Sequence, residues 1–291
     1  MTEKISFFLA SWELWRNAVI AGSLLGLVCG FLGIYVILHR IVFVSAAMSQ
    51  ISSLGVMLAF FLAQLQLIQA QHPYEDVIPL GLAALLTGTF ATAMAGQAQA
   101  KIADRSKSAE SLIGAVYLFS TAGLLLVGDR LTQGAHDVSN ILFGNAVAVD
   151  AAHLGLLAWV AVPIFIFHIW LRKDLLFVSF DPTMASTLRY PVVGLRVFLL
   201  ISLGIVISLG TRTIGALPVF AFSVIPPMAA LALFSNLGVS FVASALIGGL
   251  SAFLGYLFSF LFSFPTGACM TLACCAFLVL AKAIAALKSR S

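Results

Sequence analysis

Apolar blocks close to the ~20 residues that a helix needs to cross a hydrocarbon core recur along the chain, separated by short polar connectors. They predict nine spans, at 18–38, 41–68, 77–97, 109–128, 151–171, 194–212, 214–234, 238–262 and 266–287. The second is longer than a bilayer requires, so a tilted or broken helix is expected there. The sixth and seventh are almost contiguous and are expected either to cross separately or to form a hairpin that stops short. An outer-membrane barrel is excluded, because its strands alternate in polarity over roughly ten residues.

The departures from apolarity say more than the blocks themselves. After His39 and Arg40 the second span carries Ser45, Ser49, Gln50, Ser52 and Ser53 within a few turns. Polar side chains at membrane depth are costly unless they face protein or water, so this stripe is expected to line a pathway together with Ala46 and Met48. In the first span Gly22, Gly26 and Gly30 recur every four residues, with Gly33 close by, and Ser244, Gly248 and Ala252 repeat the pattern in the eighth. Such rows let helices approach closely and predict packing rather than chemistry. Ahead of the first span, residues 5–16 mix Phe7, Phe8, Trp12 and Trp15 with Glu13 and Arg16. They read as an interfacial helix or, more plainly, as an extension of the first span.

Composition fixes the class. Of 291 residues, 62% are hydrophobic and 9% charged, and the mean hydropathy is +1.10; a soluble domain could not cover such a chain with polar surface. The fold expected is all-α: a single polytopic membrane domain over 1–291 with eight to nine transmembrane helices and the lipid bilayer as its solvent. The net charge of +4 does not imply a nucleic-acid partner. With the N-terminus outside and the C-terminus in the cytoplasm, eleven of the fifteen basic residues fall on the cytoplasmic side, so the charge reads as an orientation signal. The four cysteines lie inside apolar blocks, which predicts buried free thiols rather than a disulfide framework. The first apolar block begins too late and runs too long for a cleavable signal peptide.

Two polar connectors are large enough to do more than connect, at 129–150 and 172–193. Neither has room for a nucleotide-binding domain, and no GxxxxGK[ST] loop occurs. Any ATP the protein uses must be bound by a separate subunit. In the second connector Asp181-Pro182 is a helix-start signal, a capping carboxylate followed by proline at the first helical position. Residues 183–188 continue for a turn or two, and Pro191 ends the helix. The segment 174–192 is therefore expected to hold a short cytoplasmic helix between two spans.

At this point the chain resembles the integral membrane permeases of ABC importers for zinc, manganese and iron. The resemblance runs over nearly the whole chain. It is carried by GLVCGFLGIYVILHR at 26–40, SAESLIG at 108–114, ILFGNAV at 141–147, LFVSFDPTMASTLRYP at 176–191, GALPVFAFSVIPPMAA at 215–230 and FPTG at 264–267. It implies a permease without cofactors of its own, working with cytoplasmic ABC ATPase subunits, an extracytoplasmic substrate-binding protein and a second permease copy or paralogue in the prokaryotic inner membrane. It also implies an ATPase-coupling helix, with Phe180, Asp181 and Pro182 at its start and Met184, Ala185 and Leu188 as its contact face. Where the family has a Glu after the proline and a Gly near position 189, this chain has Thr183 and Arg189-Tyr190.

The match fails at one point. The family's second helix carries an Asp and, four residues on, a His, apt ligands for Mn²⁺, Zn²⁺ or Fe²⁺ on one helix face; the positions here are Ala46 and Gln50. No replacement carboxylate is evident, since the eleven acidic residues all fall at span ends or in connectors. His153 and His168 sit near opposite ends of the fifth span and read as satisfied interfacial histidines. Met48 and the Cys269, Met270, Cys274, Cys275 group read as packing. The metal ligands are thus unknown, and three readings stay open: a divalent-metal importer with a loosely binding pathway, an importer of another solute such as a chelated metal, or a non-transporting partner subunit. A proton-coupled carrier and an enzyme are both disfavoured, for want of a mid-membrane carboxylate and of catalytic groupings.

Overall fold

The computed structural model of the chain describes residues 12–65, 77–97, 105–131, 141–142 and 149–288. The interfacial segment expected at 5–16 lies mostly outside the described residues, as does most of the connector at 129–150.

Among the described residues every regular element is a helix: α1 Trp12–Leu38, α2 Val42–Gln64, α3 Val77–Gln97, α4 Arg105–Asp129, α5 Ala151–Trp170, α6 Arg172–Phe180, α7 Pro182–Thr187, α8 Val192–Ile214, α9 Ala216–Leu233, α10 Leu237–Phe262 and α11 Thr266–Lys288. Eight of these are long and apolar enough to cross a bilayer, and α3 adds a shorter apolar stretch, Pro79–Met94. The second helix is unbroken from Val42 to Gln64. The sixth and seventh predicted spans, α8 and α9, are not a stunted hairpin: they have 23 and 18 residues, and their main partners differ, α3 for α8 and α11 with α1 for α9. Gly215 separates them at φ 94, ψ 160, a backbone state open almost only to glycine, so one helix ends and the next starts without a loop.

The helices form two groups. In one, α1 lies against α10 and α9, and α11 closes against α9 and α10; in the other, α2 packs on α3 and α4 while α8 covers α3. In hydrocarbon, helices gain little from burying oil against oil, so close packing of small residues takes over. The two glycine rows meet as that logic requires. A Cβ on Gly26 would stand 2.4 Å from the Gly248 carbonyl oxygen, and one on Gly30 would stand 2.5 Å from that of Ser244. Ser244 Oγ donates to the Gly30 carbonyl. Across the α1–α9 contact, a Cβ on Gly33 would meet the Ser223 carbonyl at 2.2 Å. In the second group Thr87 Oγ1 of α3 lies 2.9 Å from Ser208 Oγ of α8, a polar lock between two apolar helices.

At one end of the bundle, α1 turns into α2 and α5 passes through α6 and α7 into α8. Asp181 caps α7 by accepting from the Met184 amide at 2.8 Å, with Pro182 in the first turn. The helix stops before Pro191, however. Arg189 takes φ 62, its amide donates to Ser186 and the Tyr190 amide donates to Ala185, both at 3.0 Å. This is a Schellman termination with arginine where glycine is usual. Arg40 ends α1 in the same way, at φ 56 with Ile41 donating back to Val36 at 3.0 Å.

Candidate functional site

A cavity of about 1080 Å³ runs along α2, bounded by the α1–α2 turn, by α4 and by the start of α9. From α2 it takes Phe43, Val44, Ala46, Ser49 and Gln50. Residues 43 to 50 rise about 10 Å along the helix, so the lining is one continuous face.

The polar stripe divides. Ser45, Ser49 and Ser53 are each buried and each donates back along its own helix, to Val42, Ser45 and Ser49 respectively, at 2.8, 3.0 and 2.9 Å. These hydroxyls are satisfied locally, which is how α2 keeps serines at membrane depth. Ser49 also borders the cavity, whereas Ser45 turns to Ser223 of α9 at 3.3 Å. Met48 is fully buried in the core, and neither it nor Ser53 lines the cavity. The expected face thus comes to the cavity through Ala46, Ser49 and Gln50. Gln50 Oε1 is buried and has no hydrogen-bond partner among the described residues.

Two charged side chains also line the cavity, Arg40 and Glu110. In the sequence Glu110 reads as a charge at the start of the span 109–128. The structure starts α4 at Arg105, which places Glu110 in its second turn, with Ile113, Gly114, Tyr117 and Leu118 continuing the same face into the cavity. The spacing i, i+3, i+4, i+7, i+8 is the signal that could have marked it.

His153 and His168 do not line this cavity. His168 Nδ1 donates to the Ile164 carbonyl at 2.8 Å, and its Nε2 lies 3.1 Å from Ser202 Oγ. His153 Nε2 lies 2.9 Å from Thr213 Oγ1 near the other end of the bundle. Cys29, Cys269 and Cys274 are buried, Cys275 is partly so, and all four are free. Among the described residues, no group of three His, Cys, Asp or Glu could hold a metal.

By the α1–α2 turn, whose Arg40 and Ile41 border the cavity, α6 and α7 form a ledge. Phe180, Met184 and Leu188 are 62%, 54% and 56% exposed, an unusual density of bare apolar surface on a polar connector. Asp181 and Pro182 are exposed at the start of α7. Ala185 is fully buried, so it anchors α7 to the bundle and is not part of the outward face. The ledge is tied to the α1–α2 turn by Ser179 Oγ, 2.7 Å from His39 Nε2. Burial, with Arg196 adding like charge, lowers the His39 pKa to about 4, so this ring is neutral at physiological pH.

The model of the ABC 3 transport family matches residues 11–285 of the chain. The manganese transport system membrane protein MntC of Halalkalibacterium halodurans is 26% identical over 273 residues, covering 92% of this chain and 87% of its own. The chelated iron transport system membrane protein YfeD of Yersinia pestis is 27% identical over 267 residues, covering 91% and 84%. A solved structure, PsaBC from Streptococcus pneumoniae in complex with Fab, superposes with a TM-score of 0.79 over 97% of this chain and 95% of that one. At 23% identity it speaks for the fold alone.

Proposed function

The chain belongs to the ABC 3 transport family, and on that premise we propose that it is the permease subunit of an ABC importer that moves divalent metal ions, manganese, zinc or iron, into the cytoplasm. The relatives named for manganese and chelated iron transport support that cargo class. ATP hydrolysis takes place in separate cytoplasmic subunits. A substrate-binding protein delivers cargo from outside, and a second permease copy or paralogue completes the pathway.

The observation that carries this reading is the ledge by the α1–α2 turn. A short helix capped at both ends, anchored by Ala185 and presenting Phe180, Met184 and Leu188, is suited to sit in a groove of an ATPase. As a rigid element it converts closure of that partner into movement of the cavity wall. The ledge faces the cytoplasm in this reading, with the N-terminus outside. Ala46, Ser49 and Gln50 border the route.

The test is the chain co-purified with its ATPase in liposomes, loaded with ATP and offered Mn²⁺, Zn²⁺ and Fe²⁺ with the binding protein present. ATP-dependent uptake of at least one ion is expected. ATP hydrolysis without uptake of any of the three would overturn the importer reading.

A further inference from the structure

The ledge and the cavity are separate parts of the molecule, and motion of one can serve transport only if it reaches the other. Helix packing leaves the route indirect. The main neighbours of α6 among the spans are α8, α1 and α5, and α7 rests on α6 and α8. Among the described residues, none from α5, α6, α7 or α8 lines the cavity. The chain of α1 comes to it only in the turn that follows, where Arg40 and Ile41 border it.

One directed contact joins the ledge to that turn. Ser179, in the last turn of α6, has its Oγ 2.7 Å from His39 Nε2, just past the end of α1. The Ser179 hydroxyl gives its proton to the Leu175 carbonyl at 2.5 Å. Its lone pairs therefore face the ring, and the Nε2–H of His39 is the donor. Both side chains are half-buried. Their neighbours in sequence give the bond its reach. Ser179 precedes Phe180, which is exposed on the ledge, and His39 precedes Arg40 on the cavity border. The turn itself is held in one shape by Arg40 at φ 56 and by the Ile41 amide donating to Val36 at 3.0 Å, so displacement of His39 carries the border with it. Packed apolar surfaces can shear past one another, whereas a hydrogen bond weakens steeply when it is bent.

We propose that His39 and Ser179 are a positioning pair for the transport cycle: their hydrogen bond passes the movement of the ATPase-docked ledge to the α1–α2 turn and so to the cavity border. The assignment rests on the importer reading above and adds to it the route by which closure of the ATPase reaches the cavity. Neither residue lines the cavity itself.

The test uses the chain with its ATPase in liposomes and has two readouts. The first is uptake per ATP hydrolysed, with Mn²⁺, Zn²⁺ and Fe²⁺ as probes. The second is a distance by electron paramagnetic resonance between spin labels at Phe43→Cys, on the cavity border, and Val239→Cys, exposed at the start of α10, with the four native cysteines replaced. That distance is expected to change when the ATPase is trapped closed with ADP and vanadate. Ser179→Ala, and His39→Phe, which keeps a ring and loses the donor, should each lower uptake per ATP by about fivefold, the worth of one net hydrogen bond, and blunt the distance change. Co-purification with the ATPase and ATP hydrolysis should persist in both. His39→Gln, whose amide can donate from a similar position, should keep most of the coupling, a rescue that loss of packing alone would not show. The double variant of His39→Phe and Ser179→Ala should fall no further than either single one. Unchanged uptake per ATP in Ser179→Ala overturns the assignment, as does His39→Gln falling as far as His39→Phe, or single losses that add in the double variant. ATP hydrolysis without uptake in the unaltered complex strikes the importer reading instead, and the distance response to Ser179→Ala then decides the linkage.

Discussion

Arg189 occupies a left-handed backbone state at φ 62, which costs a side-chain-bearing residue about 1–2 kcal/mol. Arg189→Gly is accordingly expected to stabilise the protein by about 1 kcal/mol, the penalty being partly offset by glycine's freedom in the unfolded chain; a higher thermal midpoint in detergent would show it. His39 gives a pH dependence with a definite sign. Its pKa falls from 6.5 to about 4 on folding, so between those values the unfolded chain binds a proton that the folded one refuses. Its contribution to stability is complete above about pH 6.5, declines as the pH falls to about 4 and then levels off. His39→Gln should flatten that part of the stability-pH profile, and an unaltered slope would sink the assignment. At this scale the sequence was only partly readable. The serines of α2 stood out as polar, but nothing in their spacing told that the hydroxyls of Ser45, Ser49 and Ser53 bond back to their own helix while the buried Ser52 hydroxyl has no partner among the described residues. Glu110 was hidden for the opposite reason: a helix that begins inside a charged connector carries its first acidic residue into the wall of a cavity.

Among the elements, the glycine rows were legible because small residues every four positions have one main use in a membrane helix, and α1 and α10 put them to that use. A valine at Gly26 must displace the α10 backbone, since even its Cβ would lie 2.4 Å from the Gly248 oxygen. Gly26→Val is expected to cost about 3 kcal/mol or more, seen as a lowered midpoint or loss of monodisperse protein. Gly81→Ala in α3, where a Cβ meets nothing within 4 Å, should instead be neutral or stabilising by up to about 1 kcal/mol. The Asp181-Pro182 start of α7 was equally plain in sequence. Its end was not, because Arg189 does the work of a glycine and stops the helix before Pro191 is reached. On the exposed face, Met184→Asp or Leu188→Asp is expected to reduce transport by about tenfold, the loss of one well-buried contact in the assembled complex. Ala185→Asp should destabilise the permease itself. Assembly assayed by co-purification with the ATPase, beside thermal stability of the isolated chain, separates the two effects.

Taken whole, the molecule was anticipated in its class and in its eight or more apolar helices, both of which follow from hydropathy. What sequence could not supply was the grouping of the helices, because lipid-facing and protein-facing apolar positions look alike in a bilayer. Orientation has its own test. Thr183→Cys, in a background with the four native cysteines replaced, should react with a membrane-impermeant maleimide from the cytoplasmic side only; labelling from outside would reverse the topology. The interlock of α1 with α10 and α9 leaves backbone against backbone, with no long side chains between them to shear, so these helices must travel as a unit. By contrast α1 and α2 meet little beyond the turn that joins them, and the smaller contact of α2 with α9 includes the hydroxyl pair of Ser45 and Ser223. The seam along the cavity is where the least has to be broken. An alternating-access cycle can open it by sliding one hydroxyl past another while the glycine-zipped block serves as the stator.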